Sequence, residues 1–240
     1  ENWKVFVPET KDKLEAFSAI AGHLYATYLH DASSLVKVYA LDGKALCEVP
    51  LPTLGTAEAS GRWSQPEVWV GFTSFAYPPA IFRYDLSKNE LKLYHKTPIP
   101  VDVSDIAAEQ VWFTSRDGVK VPMFLVHRKG MKRDGTTPVM LTGYGGFNIS
   151  MLPHFSSVYT VWIEAGGAVA VANLRGGGEF GQAWHHGGWR ENKQKVFDDF
   201  IAAARWLVDE KVTTPARLAI EGGSNGGLLV GAALTQRPDL

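Results

Sequence analysis

The sequence predicts two kinds of structure in succession: strands alone up to about residue 105, then strands and helices in alternation. Three observations carry this. Before residue 105, short segments alternate apolar and polar residues at period two and are rich in β-branched and aromatic side chains. These segments recur at a fixed interval. After residue 111 the apolar runs become continuous, and residues at three- and four-residue spacing appear between them.

In the first part the segments are Leu24-Tyr25-Ala26-Thr27-Tyr28-Leu29, Val36-Lys37-Val38-Tyr39-Ala40-Leu41, Val68-Trp69-Val70-Gly71-Phe72-Thr73 and Ile81-Phe82-Arg83-Tyr84-Asp85-Leu86. Tyr39 and Leu41 fall on Tyr84 and Leu86 at an offset of 45, and Leu24 falls on Val68 at 44. Each unit reads as strand, loop, strand, polar turn and third strand, with Asp42-Gly43-Lys44 and Ser87-Lys88-Asn89 as the matching turns. A strand-only period in the forties is the size of one β-propeller blade. Two units do not close a propeller, and a pair of meanders in a sandwich is the alternative.

In the second part, Val111-Trp112-Phe113-Thr114 and Val121-Pro122-Met123-Phe124-Leu125-Val126 flank the turn-forming Asp117-Gly118, which predicts a hairpin. Pro138-Val139-Met140-Leu141 and Ala168-Val169-Ala170-Val171-Ala172 predict strands covered on both faces. Val196, Phe197, Phe200, Ile201, Ala204, Leu207 and Val208 share one helical face. Arg217-Leu218-Ala219-Ile220-Glu221 predicts a further strand, and residues 228–234 a further helix. The alternation predicts a doubly wound, mostly parallel α/β sheet.

Composition removes several function classes. Lys plus Arg total 24 against 25 Asp plus Glu, a net charge of -1, so no basic surface for nucleic acid is expected. With 45% hydrophobic and 20% charged residues the chain is expected to fold. The most apolar stretch, residues 158–174, is broken by Glu164 and a glycine pair, so no membrane span is expected. Cys47 is the only cysteine, which excludes intrachain disulfides and zinc sites built on paired cysteines and fits a reducing compartment. The start, Glu1-Asn2-Trp3-Lys4, has neither an initiator Met nor a signal-peptide layout, and reads as the interior of a longer chain.

The sharpest chemical signal is Gly222-Gly223-Ser224-Asn225-Gly226-Gly227, between a predicted strand and a predicted helix. A G-x-S-x-G turn in that context strains the serine backbone and lifts its hydroxyl clear of the sheet edge, which makes Ser224 the candidate nucleophile; an ordinary tight turn is the bland alternative. A serine needs a base and a group that orients the base. After Ser224 the only acidic residue is Asp239 and there is no histidine. The seven histidines, His23, His30, His95, His127, His154, His185 and His186, all precede it, against the chain order this topology expects.

A second glycine-rich loop, Gly143-Tyr144-Gly145-Gly146-Phe147-Asn148, follows a buried strand, where α/β-hydrolases place an oxyanion donor. Packing of Tyr144 and Phe147 at a domain interface is the alternative. Neither this loop nor Arg175-Gly176-Gly177-Gly178-Glu179 has the ending of a phosphate-binding loop or the spacing of a dinucleotide fingerprint. His185-His186 lacks partners at metal-ligand spacing, so no metal or other cofactor is expected. Trp184, Trp189 and Trp206 read as packing residues.

Together, Gly143-Tyr144-Gly145-Gly146-Phe147-Asn148-Ile149-Ser150, Ala172-Asn173-Leu174-Arg175-Gly176-Gly177-Gly178-Glu179 and Gly222-Gly223-Ser224-Asn225-Gly226-Gly227-Leu228-Leu229, with Gln236-Arg237-Pro238-Asp239-Leu240, resemble the prolyl oligopeptidase family of serine peptidases. Asn2-Trp3-Lys4-Val5-Phe6-Val7-Pro8-Glu9 and residues 117–126 are similar to it too, so the resemblance covers essentially the whole chain. Thr142, and Phe180 where the family often carries Tyr, depart from its pattern.

The resemblance implies an α/β-hydrolase domain capped by a seven-bladed propeller, cutting short peptides after proline. Residues 1–105 would be C-terminal blades and 106–240 the N-terminal part of the hydrolase domain, ending shortly after the nucleophile turn. It implies Ser224 as nucleophile, the Asn225 N–H and the Tyr144 phenol as oxyanion donors, and Phe147 lining the proline pocket. The triad Asp and His would lie beyond Leu240, so the 240-residue chain alone is expected to be inactive. A cytoplasmic monomer acting on proline-containing peptides is expected, with a periplasmic location as the alternative. Competing functions are an oligopeptidase that cuts after basic residues and a non-catalytic binding protein.

Overall fold

The computed structural model describes residues 5–240, so Asn2, Trp3 and Lys4, which open one stretch of the family resemblance, lie outside the described residues. The chain divides into two compact units. One holds the described residues up to Pro100 together with Leu152–Phe155; the other holds Val101–Met151 and Ser156–Leu240.

The first unit contains two four-stranded antiparallel meanders. One is β1 (Lys13–Ile20), β2 (His23–His30), β3 (Ser33–Tyr39) and β4 (Ala45–Glu48); the other is β5 (Thr56–Gly61), β6 (Val68–Ser74), β7 (Tyr77–Asp85) and β8 (Glu90–Lys96). The repeat seen in the sequence is a repeat of register: Leu24 pairs with Tyr39 in one meander and Val68 with Tyr84 in the other. Both polar turns join the third strand of a meander to the fourth. Each meander has one strand more than the three expected, β1 and β5. Alternation puts Val36, Val38, Val68, Val70, Phe72, Phe82 and Tyr84 into a shared core, which makes the pair a stable layer in the sense of stacked sheets.

The second unit is a five-stranded sheet in the order β13-β11-β12-β10-β9, built from β9 (Ile106–Thr114), β10 (Lys120–Arg128), β11 (Val139–Gly143), β12 (Ala168–Ala172) and β13 (Leu218–Glu221). The three strands β12, β11 and β13 run parallel, while the β9–β10 hairpin joins antiparallel through β10. The helices are α1 (Ser157–Glu164), α2 (Gln182–His186), α3 (Lys193–Asp209) and α4 (Asn225–Gln236). Ala168, Ala170, Ala172, Met123 and Leu125 face a core that includes Val196, Phe200 and Leu207 of α3 and Leu229 of α4. The alternate residues Phe124, Val126, Val169 and Val171 are buried on the other face, where α1 packs on β10 and β12. Both faces are thus covered, as the continuous apolar runs require. Ser156 caps α1 by accepting the Tyr159 N–H. The apolar stretch 158–174 divides into α1, a glycine turn and β12, and no helix of the described residues is long and apolar enough to cross a membrane.

Candidate active site

Three glycine-rich segments leave the C-terminal ends of neighbouring parallel strands. In register, Gly143 of β11 stands beside Ala172 of β12, and Thr142 stands beside Glu221 of β13. This edge, where the strand order changes direction, is where α/β sheets bind ligands.

Ser224 sits between β13 and α4 with φ 55 and ψ -119, a strained conformation for a residue with a side chain, and it is exposed. The turn is tied by Gly226 N–H to Gly223 O at 2.8 Å and Gly227 N–H to Ser224 O at 2.9 Å. Asn225 is the first residue of α4, so its N–H has no acceptor within the helix. A Cβ on Gly226 would come 2.9 Å from Gly143 O, so only glycine lets the turn lie this close to the loop after β11.

That loop is held from two sides. The Asn225 amide donates from Nδ2 to Tyr144 O, and Lys193 Nζ donates to Gly145 O at 2.7 Å and to Asn225 Oδ1 at 3.0 Å. Burial pushes the Lys193 ammonium below the usual lysine range. Gly145 has φ 62, and a Cβ there would come 2.3 Å from Val196 Cγ1. Phe147 and Asn148 follow with φ 54 and 57, and Phe147 is 75% exposed.

Every residue from Asn173 to Glu179 is buried, and the segment forms the floor of that loop. Gly176 O accepts the Asn148 N–H at 3.1 Å, Glu179 Oε1 accepts the Met151 N–H at 2.8 Å, and Asn173 Nδ2 donates to Met151 O at 2.7 Å. Arg175 anchors the floor. Its guanidinium binds Asp199 of α3 and Asp117 of the β9–β10 turn, and the Ser115 hydroxyl donates to Asp199 at 2.5 Å. Burial raises the Asp199 pKa, with the bonds from Arg175 and Ser115 offsetting part of that. The Arg175 bond holds the Asp117 carboxyl below its ordinary value. Burial alone would lower Arg175, but its bonds to Asp199 and Asp117 outweigh it and hold the guanidinium charged.

The structure therefore brings Ser224, Asn225 and Tyr144 together, with Phe147 three residues further along the same loop. Six of the seven histidines make contacts with groups other than Ser224. His185 Nδ1 bonds Gly176 O at 2.8 Å, His186 stacks on Trp189, His30 bonds Asp12, and His23, His127 and His154 bond nearby carbonyls. His95 lies on β8 opposite Ile81. Trp184 donates to Leu174 O at 3.0 Å, and Trp206 packs under Arg133. Among the described residues no cluster of three metal-ligating side chains occurs.

Lys193 and the Arg175–Asp199 pair are not evident from the motifs. One signal was available: Asp199 falls on the apolar face of α3 with Val196, Phe200 and Ala203, where a charge must find a partner.

Residues 153–240 match the prolyl oligopeptidase family, and residues 1–97 match the prolyl oligopeptidase N-terminal beta-propeller domain. The chain belongs to the prolyl oligopeptidase family. The prolyl endopeptidase of Elizabethkingia miricola is 43% identical over 241 residues, covering 100% of this chain and 34% of the relative. The dual function macrocyclase-peptidase POPB of Amanita bisporigera is 39% identical, covering 98% of this chain and 33% of the relative. A solved structure from a study of two prolyl endopeptidases superposes with a TM-score of 0.94 at 50% identity, covering 99% of this chain and 36% of the other. Prolyl oligopeptidase B from Galerina marginata, bound to a 25-residue macrocyclization substrate, superposes with a TM-score of 0.91 at 37% identity, covering 96% and 33%. The chain thus spans about a third of the length of the family members it matches. In family terms the two meanders are propeller blades and the five-stranded sheet belongs to the α/β-hydrolase domain.

Proposed function

We propose that this chain carries the nucleophile side of a serine peptidase site that hydrolyses short peptides on the carboxyl side of proline. The observation that carries the reading is the clasp between the Ser224 turn and the Tyr144 loop, made by Asn225. Residues 1–105 serve as blades and residues 106–240 as the peptidase domain up to and past the nucleophile. The Ser224 hydroxyl attacks the carbonyl carbon of the prolyl residue, and the carbonyl oxygen gains negative charge as the tetrahedral intermediate forms. The Asn225 N–H and the Tyr144 phenol donate to that oxygen. Such donors act most strongly where charge develops. Collapse of the intermediate expels the amine and leaves an acyl-Ser224, which water then hydrolyses.

The exposed Phe147 ring supplies an apolar face for the proline ring. With six of the seven histidines in other contacts and His95 on the propeller-side strand β8, the proton acceptor and its acidic partner come from residues beyond Leu240 in the full-length protein. Homologues named as prolyl endopeptidases and macrocyclase-peptidases support the substrate class. A cytoplasmic monomer acting without metal or nucleic acid fits the single cysteine and the balanced charge.

The test is Ser224→Ala in the full-length protein. Turnover of a proline-containing peptide is expected to fall on the order of 10⁴-fold or more with peptide binding retained. Near-normal kcat in that variant would refute the nucleophile assignment.

A further inference from the structure

Lys193 occupies a position that helix stability does not explain. It is the first residue of α3, where the helix dipole disfavours a cation, and its burial also disfavours the charge. What the ammonium gains is two acceptors in the site: Gly145 O and Asn225 Oδ1.

The second of these fixes an orientation. With Oδ1 accepting from Lys193, the Asn225 amide must present Nδ2 to Tyr144 O; the flipped amide would set an NH₂ group against an ammonium. Lys193 therefore fixes the carbonyl of Gly145 directly and that of Tyr144 through Asn225. The Tyr144 carbonyl is thus held by Asn225, whose backbone N–H opens α4, and the next carbonyl, that of Gly145, by the Lys193 that orients Asn225.

We propose that Lys193 is a positioning residue that sets the separation of the two oxyanion donors, the Asn225 N–H and the Tyr144 phenol. The inference rests on the reading of Ser224, Tyr144 and Asn225 given above. Lys193 acts through the loop and the amide, not on the substrate. Its loss therefore weakens binding of the tetrahedral species more than binding of the planar peptide.

The experiment compares Lys193→Met, Lys193→Arg and Ser224→Ala in the full-length protein. Reactive serines are titrated with a fluorophosphonate. The kcat per titrated serine and the KM are then measured on a proline-containing peptide, together with the affinity for a peptide aldehyde, which forms a tetrahedral adduct with the serine. Lys193→Met is expected to lower kcat per serine by about 10-fold or more, less than the loss of a donor itself. Aldehyde affinity should fall in parallel and KM stay within about threefold. Lys193→Arg should recover most of the loss.

If kcat per serine and aldehyde affinity hold while only the melting temperature falls, Lys193 is a packing residue and the proposal fails. Should Lys193→Met not accumulate as folded protein, Lys193→Gln carries the comparison, and equal kcat for Gln and Lys overturns the proposal. Turnover by Ser224→Ala would instead sink the underlying site reading. An inactive Ser224→Ala beside a fully active Lys193→Met sinks the Lys193 role alone.

Discussion

The Arg175 guanidinium meets the Asp199 carboxylate fork to fork, with Nη2 2.6 Å from Oδ1 and Nε 2.9 Å from Oδ2. Asp199 is fully buried and Arg175 nearly so. The pair joins α3 to the floor beneath the Tyr144 loop, and Asp117 extends it to the β9–β10 turn.

Breaking this pair from one side strands a charge. Arg175→Met should destabilise the fold by about 3–5 kcal/mol, because Asp199 is left buried and unpaired. Arg175→Met combined with Asp199→Leu should cost less than the sum of the two single changes, since no buried charge remains on either side. Urea unfolding midpoints of the four proteins provide the cycle. Additive costs would show that the two side chains do not act as a unit.

Asp117 provides a pH signature. Its folded pKa lies below the unfolded value of about 3.9, so the stability it contributes is fully present above that value and is lost as pH falls through the folded pKa. The difference in melting temperature between the protein and its Asp117→Asn variant should be constant from pH 7 to about pH 5 and close as the pH drops below about 4. Asp199 has the opposite sign, because its raised pKa favours the protonated form in the folded state. Comparison with Asp117→Asn separates the two. The carboxylate is 39% exposed, so solvent screening keeps the effect small. A difference that widens toward low pH would contradict the ion pair.

Tyr144→Phe removes one hydroxyl and leaves the ring. In the proposed role of oxyanion donor the phenol acts on the transition state, so kcat should fall by about 10²–10³-fold with KM little changed. Steady-state kinetics on a proline-containing peptide decide it. A change confined to KM would place the hydroxyl in ground-state binding.

The strands legible in the sequence are those whose alternation is matched by a buried face. The segment Val68-Trp69-Val70-Gly71-Phe72-Thr73 reads as a strand because Val68, Val70 and Phe72 are buried and the residues between them less so. β5 carries no such signal because Ala57 and Ala59 are its inward residues, and alanine has neither strand propensity nor bulk. β1 carries none because its register shifts between Leu14 and Ala16, which breaks the period.

The same contrast holds at the site. Ser224, Tyr144 and Asn225 lie in glycine-rich motifs that announce a turn, and the structure sets those turns side by side. Lys193 acts across 32 residues on Asn225 and 48 on Gly145, with no local pattern to mark it. Arg175 stands in a glycine-rich motif that says nothing of its partners, because the pairing with Asp199 and Asp117 exists only once three elements have come together.

The neighbours that require glycine at 145 and 226 are the Val196 methyl and the Gly143 carbonyl, groups with no part in bond breaking. Selection for folding alone would hold both positions. A descendant that had given up the proposed hydrolysis would thus go on displaying its glycine pattern, while the hydroxyls of Ser224 and Tyr144 would be free to drift once selection for that chemistry ended. Among diverging copies of this chain, the glycines would report ancestry and, on the proposed function, the two hydroxyls would report activity.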